Sequence, residues 1–157
     1  MNRFRAASAC LGTLALVFLA ATAQDNPKKE PAKDQGDKKE AVYVSADDAK
    51  YKEVAPGASM AAIWGDPDKG AYRGFTKFAP GATFALHTHT SEMRIVVIKG
   101  AYVYRPEKGE EKRVGPGAYI DIPAGDRHSS GGDAKEGALF YQESTGKFDL
   151  NFVEVKK

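Results

Sequence analysis

The chain has 157 residues, the length of one domain, with 23 basic against 21 acidic side chains and a single cysteine. Arg3 and Arg5 account for the whole formal charge of +2, so the rest of the chain is neutral and lacks the basic footprint of a nucleic-acid or anionic-membrane binder. One cysteine, Cys10, excludes an intrachain disulfide framework.

Arg3 and Arg5 precede a nearly continuous apolar run, residues 6–21, and Ala21-Thr22-Ala23 sets small residues at the spacing of a cleavage site. This is the layout of a secretory signal peptide over residues 1–23, cut between Ala23 and Gln24. A retained anchor is the competing reading, but the run falls short of the roughly 20 residues of a spanning helix. Cys10 precedes most of the apolar run, where a lipid-attached cysteine would follow it, so it belongs to the removed peptide. The mature protein is expected to be exported, periplasmic or extracellular, with no thiol and no membrane segment. Residues 24–40 (QDNPKKEPAKDQGDKKE) hold no aromatic residue, and Ala32 is their only aliphatic one. Such a stretch buries too little apolar surface to offset its chain entropy, and its five lysines are balanced by five acids, so a disordered linker is expected.

From Ala41 to the end the pattern becomes short β-type runs punctuated by glycine and proline. Strands are expected over 41–44, 59–64, 72–78, 83–89, 93–99, 101–105, 112–114, 118–122, 127–130, 137–143 and 148–155. Breaks are expected at Pro56-Gly57, Pro80-Gly81, Gly115-Pro116-Gly117, Pro123 to Asp126 and Gly131-Gly132, among others. No helical periodicity lasts beyond about two turns, with 46–52 the one candidate for a short helix. Many short strands at regular spacing indicate an all-β sandwich or barrel domain over 41–157, long enough to build a core without disulfides. In Met93-Arg-Ile-Val-Val-Ile-Lys99, Met93, Ile95 and Val97 share one strand face while Val96 and Ile98 share the other. Such a strand is either covered on both sides within the domain or covered by a second subunit, which raises a homodimer.

His87, His89 and His128 are the only histidines. His87 and His89, at i and i+2 of a strand, project from one face and can ligate one cation; imidazole suits zinc, copper, iron and nickel. Taken alone, H-x-H is also common on exposed edge strands. The context is more specific. Gly81 is followed by five residues and then His87-Thr88-His89, in a segment closing at Gly100; Gly117 is followed by five residues and then Pro123-Ala124-Gly125-Asp126-Arg127-His128. These two stretches, in this order and sixteen residues apart from Ala101 to Pro116, resemble the paired signature motifs of the cupin superfamily. Trp64-Gly65-Asp66-Pro67 and His87-Thr88-His89-Thr90 are further similar to small secreted ChrR-type or uncharacterised cupins.

The resemblance implies an antiparallel jelly-roll barrel with His87, His89 and His128 as ligands of a divalent transition metal (Fe, Zn, Mn, Ni or Cu) at its mouth. Two positions depart from the family pattern. Met93 occupies the place of the usual glutamate ligand, and Gly132 that of a terminal asparagine. Glu92 is one residue early, and strand alternation turns it away from the histidines; it reaches the site only if residues 90–92 are loop-like. Three neutral histidines with open positions are therefore expected, an arrangement of catalytic rather than closed structural sites, holding a cation less tightly than a site with an added carboxylate.

Met93, Tyr104, Tyr119 and Gln142 are candidates to line the barrel interior, with Tyr141 and Glu143 nearby; for the tyrosines, plain core packing competes with a ligand role. Arg73 and Arg94 are expected to face solvent. No general base is evident, Ser129 and Ser130 lack a base partner, and Gly131-Gly132 reads as a turn and not a phosphate cradle. The expected function is metal-dependent chemistry on a small molecule, of oxygenase or isomerase type. A non-catalytic metal- or ligand-binding sensor and a metal-free cupin are the alternatives.

Overall fold

The computed structural model describes residues 40–154. The expected signal peptide and all but the last residue of the expected linker lie outside them. Among the described residues every regular element is a strand, and none is a helix able to cross a membrane.

The strands are β1 (Lys52–Ala55), β2 (Ala58–Gly65), β3 (Tyr72–Phe78), β4 (Thr83–Thr88), β5 (Met93–Gly100) and β6 (Tyr102–Pro106). They are followed by β7 (Lys112–Val114), β8 (Tyr119–Ile122), β9 (His128–Gly132), β10 (Ala138–Ser144) and β11 (Asn151–Phe152). They form two antiparallel sheets, one ordered β1-β2-β3-β10-β5-β8 and the other β11-β4-β9-β6-β7. Non-consecutive neighbours such as β3-β10-β5 and β4-β9-β6 are the crossings of a jelly roll, which hides most strand edges inside one closed double sheet.

The inner faces supply the core: Met93, Ile95 and Val97 of β5 meet Tyr102, Ile122, Ala138 and Phe140, all nearly inaccessible. Phe78 ties the sheets together, its ring 4.6 Å from that of Phe84, 5.0 Å from Phe140 and 5.7 Å from Tyr102. These centroid spacings are those of favourable edge and offset aromatic pairs.

Several expectations need correction. Residues 41–44 form no strand, and Val42 and Tyr43 stand 84% and 89% exposed. The first strand is instead Lys52–Ala55, whose charged half hides the β signal; it pairs with β2 around the Pro56-Gly57 turn. Residues 46–48 make only a turn, with the Asp47 amide donating to Ser45 Oγ at 3.2 Å. Gly131-Gly132 is not a turn either. Both residues lie in β9 between β4 and β6, and a Cβ on Gly131 would sit 2.5 Å from the Ala82 carbonyl oxygen, so glycine here permits close backbone approach. The last expected strand shortens to Asn151–Phe152 because the preceding chain is held elsewhere, the Phe148 amide donating to the Pro67 carbonyl at 2.8 Å.

The outer face of β5 is not covered within the domain: Val96 and Ile98 are 38% and 36% exposed. Tyr119, expected inside, is 57% exposed. Its register opposite Val96 places it on the outer face, while Ile120 and Ile122 take the inward positions of β8.

Candidate metal centre

His87 and His128 face each other as register partners on β4 and β9, and His89 follows β4 directly. Strict alternation from Phe84, which is buried, would turn His87 outward. Between Phe84 and His87 the pairing shifts by one residue, three steps along β4 against two along β9. This bulge reverses the parity, so Phe84, His87 and His89 all point into the barrel. It does a second thing: the carbonyl of Ala85, within the bulge, accepts from His87 Nδ1 at 2.6 Å.

The second motif delivers His128. Pro123 to Asp126 closes a turn through Asp126 N to the Pro123 carbonyl at 3.1 Å, with Gly125 at φ 75° in the position where a type II turn needs a positive φ. The Gly125 amide then donates to the His89 carbonyl at 2.9 Å, pinning the turn to the end of the first motif.

Each imidazole engages an acceptor through Nδ1. His89 Nδ1 lies 2.5 Å from the Asp149 carbonyl, and His128 Nδ1 lies 3.3 Å from the Asp126 carbonyl and 3.2 Å from its carboxylate. Donating from Nδ1 leaves Nε2 as the bare lone pair, the tautomer a metal ligand needs. The three potential ligand atoms lie within 4.8 Å of one another, and Nε2 of His89 and of His128 is buried with no hydrogen-bond partner. Buried polar atoms are almost always satisfied, and two orphaned nitrogens in one cluster fit a shared cation. The donor set, three neutral imidazoles, suits a divalent transition ion.

The surroundings keep the rings neutral. Burial pulls His89 from the ordinary imidazole value of 6.5 to about 4, with His87 and His128 adding to the effect and the Asp149 carbonyl opposing it. Burial likewise lowers His87 and His128. An unfolded chain takes up these protons near pH 6.5, whereas the folded chain resists until about pH 4 at His89. Between those values the unfolded state binds more protons, so stability falls as pH falls. Metal-free protein should hold a constant melting temperature contribution from these groups above pH ~6.5 and lose on the order of 5 °C down to pH ~4. Calorimetry of wild type beside His89→Gln checks this: the variant should lose less, and parallel curves would refute it.

The other expected site residues separate. Met93 and Gln142 do face the interior beside His87 and His89. Tyr104 backs the site instead of lining it: its ring stacks on His128 with centroids 5.2 Å apart, and its hydroxyl donates to Asp126 Oδ2 at 2.7 Å. Burial and that hydrogen bond push its pKa up to about 12, so it stays a neutral donor. Glu92 is held away, accepting from Thr145 Oγ1 at 3.0 Å and Arg94 at 3.4 Å. In the expected acid position, Met93 packs its sulfur 4.0 Å from the Tyr72 hydroxyl.

Two contributors escaped sequence reasoning. Asp126, two residues before His128, bridges Tyr104 and His128; its place beside a motif histidine was the only available signal. The segment 147–152 crosses the site, with Phe148 and Leu150 lining the interior and the Asp149 carboxylate accepting from Thr90 N at 2.8 Å and Thr90 Oγ1 at 2.5 Å. Nothing local in the sequence marked it.

The chain's family follows from these features together with its matches. The ChrR Cupin-like domain matches residues 39–148, and this chain belongs to that family. No curated protein matches the sequence significantly. Among solved structures it is similar to KdgF from Halomonas sp., with TM-score 0.56 and 22% identity over 70% of this chain and 97% of that one. It is also similar to the polyketide cyclase RemF from Streptomyces resistomycificus, with TM-score 0.60 and 20% identity over 75% of this chain and 89% of that one. The DMSP lyase DddQ from Ruegeria pomeroyi aligns with TM-score 0.55 and 14% identity over 67% of this chain and 61% of that one. At these identities the likeness establishes the fold and no reaction.

Proposed function

We propose that this cupin binds a divalent transition metal through Nε2 of His87, His89 and His128 and uses the open coordination positions for chemistry on a small molecule, of oxygenase or isomerase type. The observation that carries the reading is the pair of buried, partnerless Nε2 atoms on His89 and His128. A bound ion would supply Lewis-acid polarisation of an oxygen or sulfur donor. The chain's own part is to hold three neutral rings by their Nδ1 atoms, to exclude water with Phe148 and Leu150, and to present no charged side chain to the ligand. Two of the structural neighbours, a cyclase and a lyase by description, support an enzyme by analogy of fold alone. The second reading is capture of a metal or small ligand without turnover.

Elemental analysis of protein purified without added metal tests the core of the proposal. About one transition ion per chain is expected; its absence, even after loading, would leave a metal-free cupin. Turnover and oxygen consumption across a small-molecule panel in each metal form then separate enzyme from sensor, since tight binding with no turnover in any form favours the sensor. The expected export of the chain places this chemistry in the periplasm or outside the cell.

Asp126 is expected to tune the metal. Its carboxylate sits on His128 Nδ1 and on the Tyr104 hydroxyl, the place of an outer-shell carboxylate on a ligating histidine. Asp126→Ala should weaken metal affinity by about 10–100-fold in competition with a chelator, with the fold intact. Unchanged affinity would show that the carboxylate merely caps the turn.

A second copy of the chain is the partner that fits the outer face of the six-stranded sheet. Phe75, Tyr141, Val96 and Tyr119 form a row across β3, β10, β5 and β8. Beside it runs Arg73, Glu143, Arg94, Asp121, alternating in sign, so a two-fold partner can set each charge against its opposite. Sedimentation should give a dimer that Val96→Asp with Ile98→Asp dissociates; monomeric wild type at micromolar concentration would overturn the assignment.

A further inference from the structure

From His87 and His89 a cavity runs into the barrel between the two sheets, walled by Phe78, Phe84, Ile95 and Phe140, and among the described residues no lysine, arginine or carboxylate lines it. Its side-chain hydroxyls and amide, apart from the histidines, belong to Thr76, Tyr102, Ser130 and Gln142. Gln142 is engaged, its amide nitrogen donating to the Tyr72 hydroxyl at 2.7 Å, and Ser130 is hydrogen-bonded to Tyr102. Thr76 is not. It points inward from β3, is 2% exposed, and its Oγ1 has no partner. A hydroxyl buried in an apolar wall without a partner is unfavourable and uncommon in folded proteins, so it marks where an occupant of the cavity brings a polar group. The occupant is small, because the cavity offers only about 30 Å³, room for a few heavy atoms. It is uncharged along its body, because nothing in the wall would compensate a desolvated charge.

We propose that Thr76 is the distal anchor of a ligand site. The ligand class is a short-chain molecule with an anionic oxygen or sulfur head at the histidine end, an uncharged body against Phe78, Phe84 and Phe140, and a hydroxyl or carbonyl that meets Thr76 Oγ1. The head group rests on the metal reading above; the anchor and the size limit rest on the cavity. Thr76 thus selects among ligands that the metal alone would treat alike.

Calorimetric titration of zinc-loaded protein with butyrate and γ-hydroxybutyrate tests this. The hydroxylated acid should bind more tightly to wild type by on the order of tenfold. Thr76→Val, close in shape but without the hydroxyl, should lose that preference, and Thr76→Ser should keep it. Zinc content and melting temperature are measured on all three, and zinc should stay at one ion per chain. Equal affinities in wild type and Thr76→Val, with zinc bound, would mean that water alone satisfies the threonine; that overturns this inference and leaves the metal reading standing. Wild-type protein that takes up no zinc overturns the metal reading, and this inference with it.

Discussion

Replacing His128 with alanine should empty the metal centre. His128 is 0% exposed, stands opposite His87 in the β4–β9 register, and offers one of the two partnerless nitrogens. Two imidazoles remain in the variant, and the carboxylate beside the lost ring, that of Asp126, is tied to the Tyr104 hydroxyl at 2.7 Å. The loss should exceed the roughly 10–100-fold effect of an outer-shell change, leaving well under ~0.2 ion per chain after chelator dialysis. Glu92→Gln is the matched control. Its carboxylate is held by Thr145 and Arg94, so metal content should not change. A His128→Ala protein with a full equivalent, or an emptied Glu92→Gln protein, would rewrite the ligand set. Far-ultraviolet dichroism on each variant separates ligand loss from unfolding.

Phe140→Ala should give the largest loss of stability. Phe140 is 1% exposed in β10, the strand between β3 and β5, with its ring 5.0 Å from Phe78 and 5.3 Å from Tyr102. Truncation removes the contacts of a whole ring and leaves a void that neighbouring strands cannot close, about 3–5 kcal/mol for a buried phenylalanine. Against a total of roughly 5–15 kcal/mol this is a large fraction, and the melting temperature should fall by on the order of 10 °C or more. Metal content in the folded fraction should hold, since the histidines hang from β4 and β9 in the opposite sheet. A loss under ~1 kcal/mol in denaturant titration would mean that the core repacks around the gap.

The strand content of the chain was legible because its signals are local. Alternation, β-branched and aromatic runs and Pro-Gly breaks placed β3 and β7 at their observed bounds and most of the other strands within a residue or two. Failures came where partners decide. Lys52–Ala55 is a strand because β2 offers it an edge, and residues 41–44, more β-like in composition, find none. The outward placing of Tyr119 comes from its register against Val96, which composition does not carry.

The site divides in the same way. Spacing alone determined that His87 and His89 share a face and, through the resemblance of the two motifs, that His128 joins them. Strand alternation also set Glu92 out of phase, and the resemblance put Met93 where that family usually has an acid ligand. Only the tertiary structure decided the rest. The bulge before His87 turns the histidines to the same side as Phe84; the carbonyls of Ala85, Asp126 and Asp149 choose the Nε2 face of each ring; the segment 147–152 closes over them; and Thr76 is left alone in the cavity wall. The physical reason is range. Side-chain periodicity is a property of the strand itself, whereas a bulge, a hydrogen-bond acceptor 60 residues away or an unsatisfied hydroxyl exists only when two sheets have packed against each other.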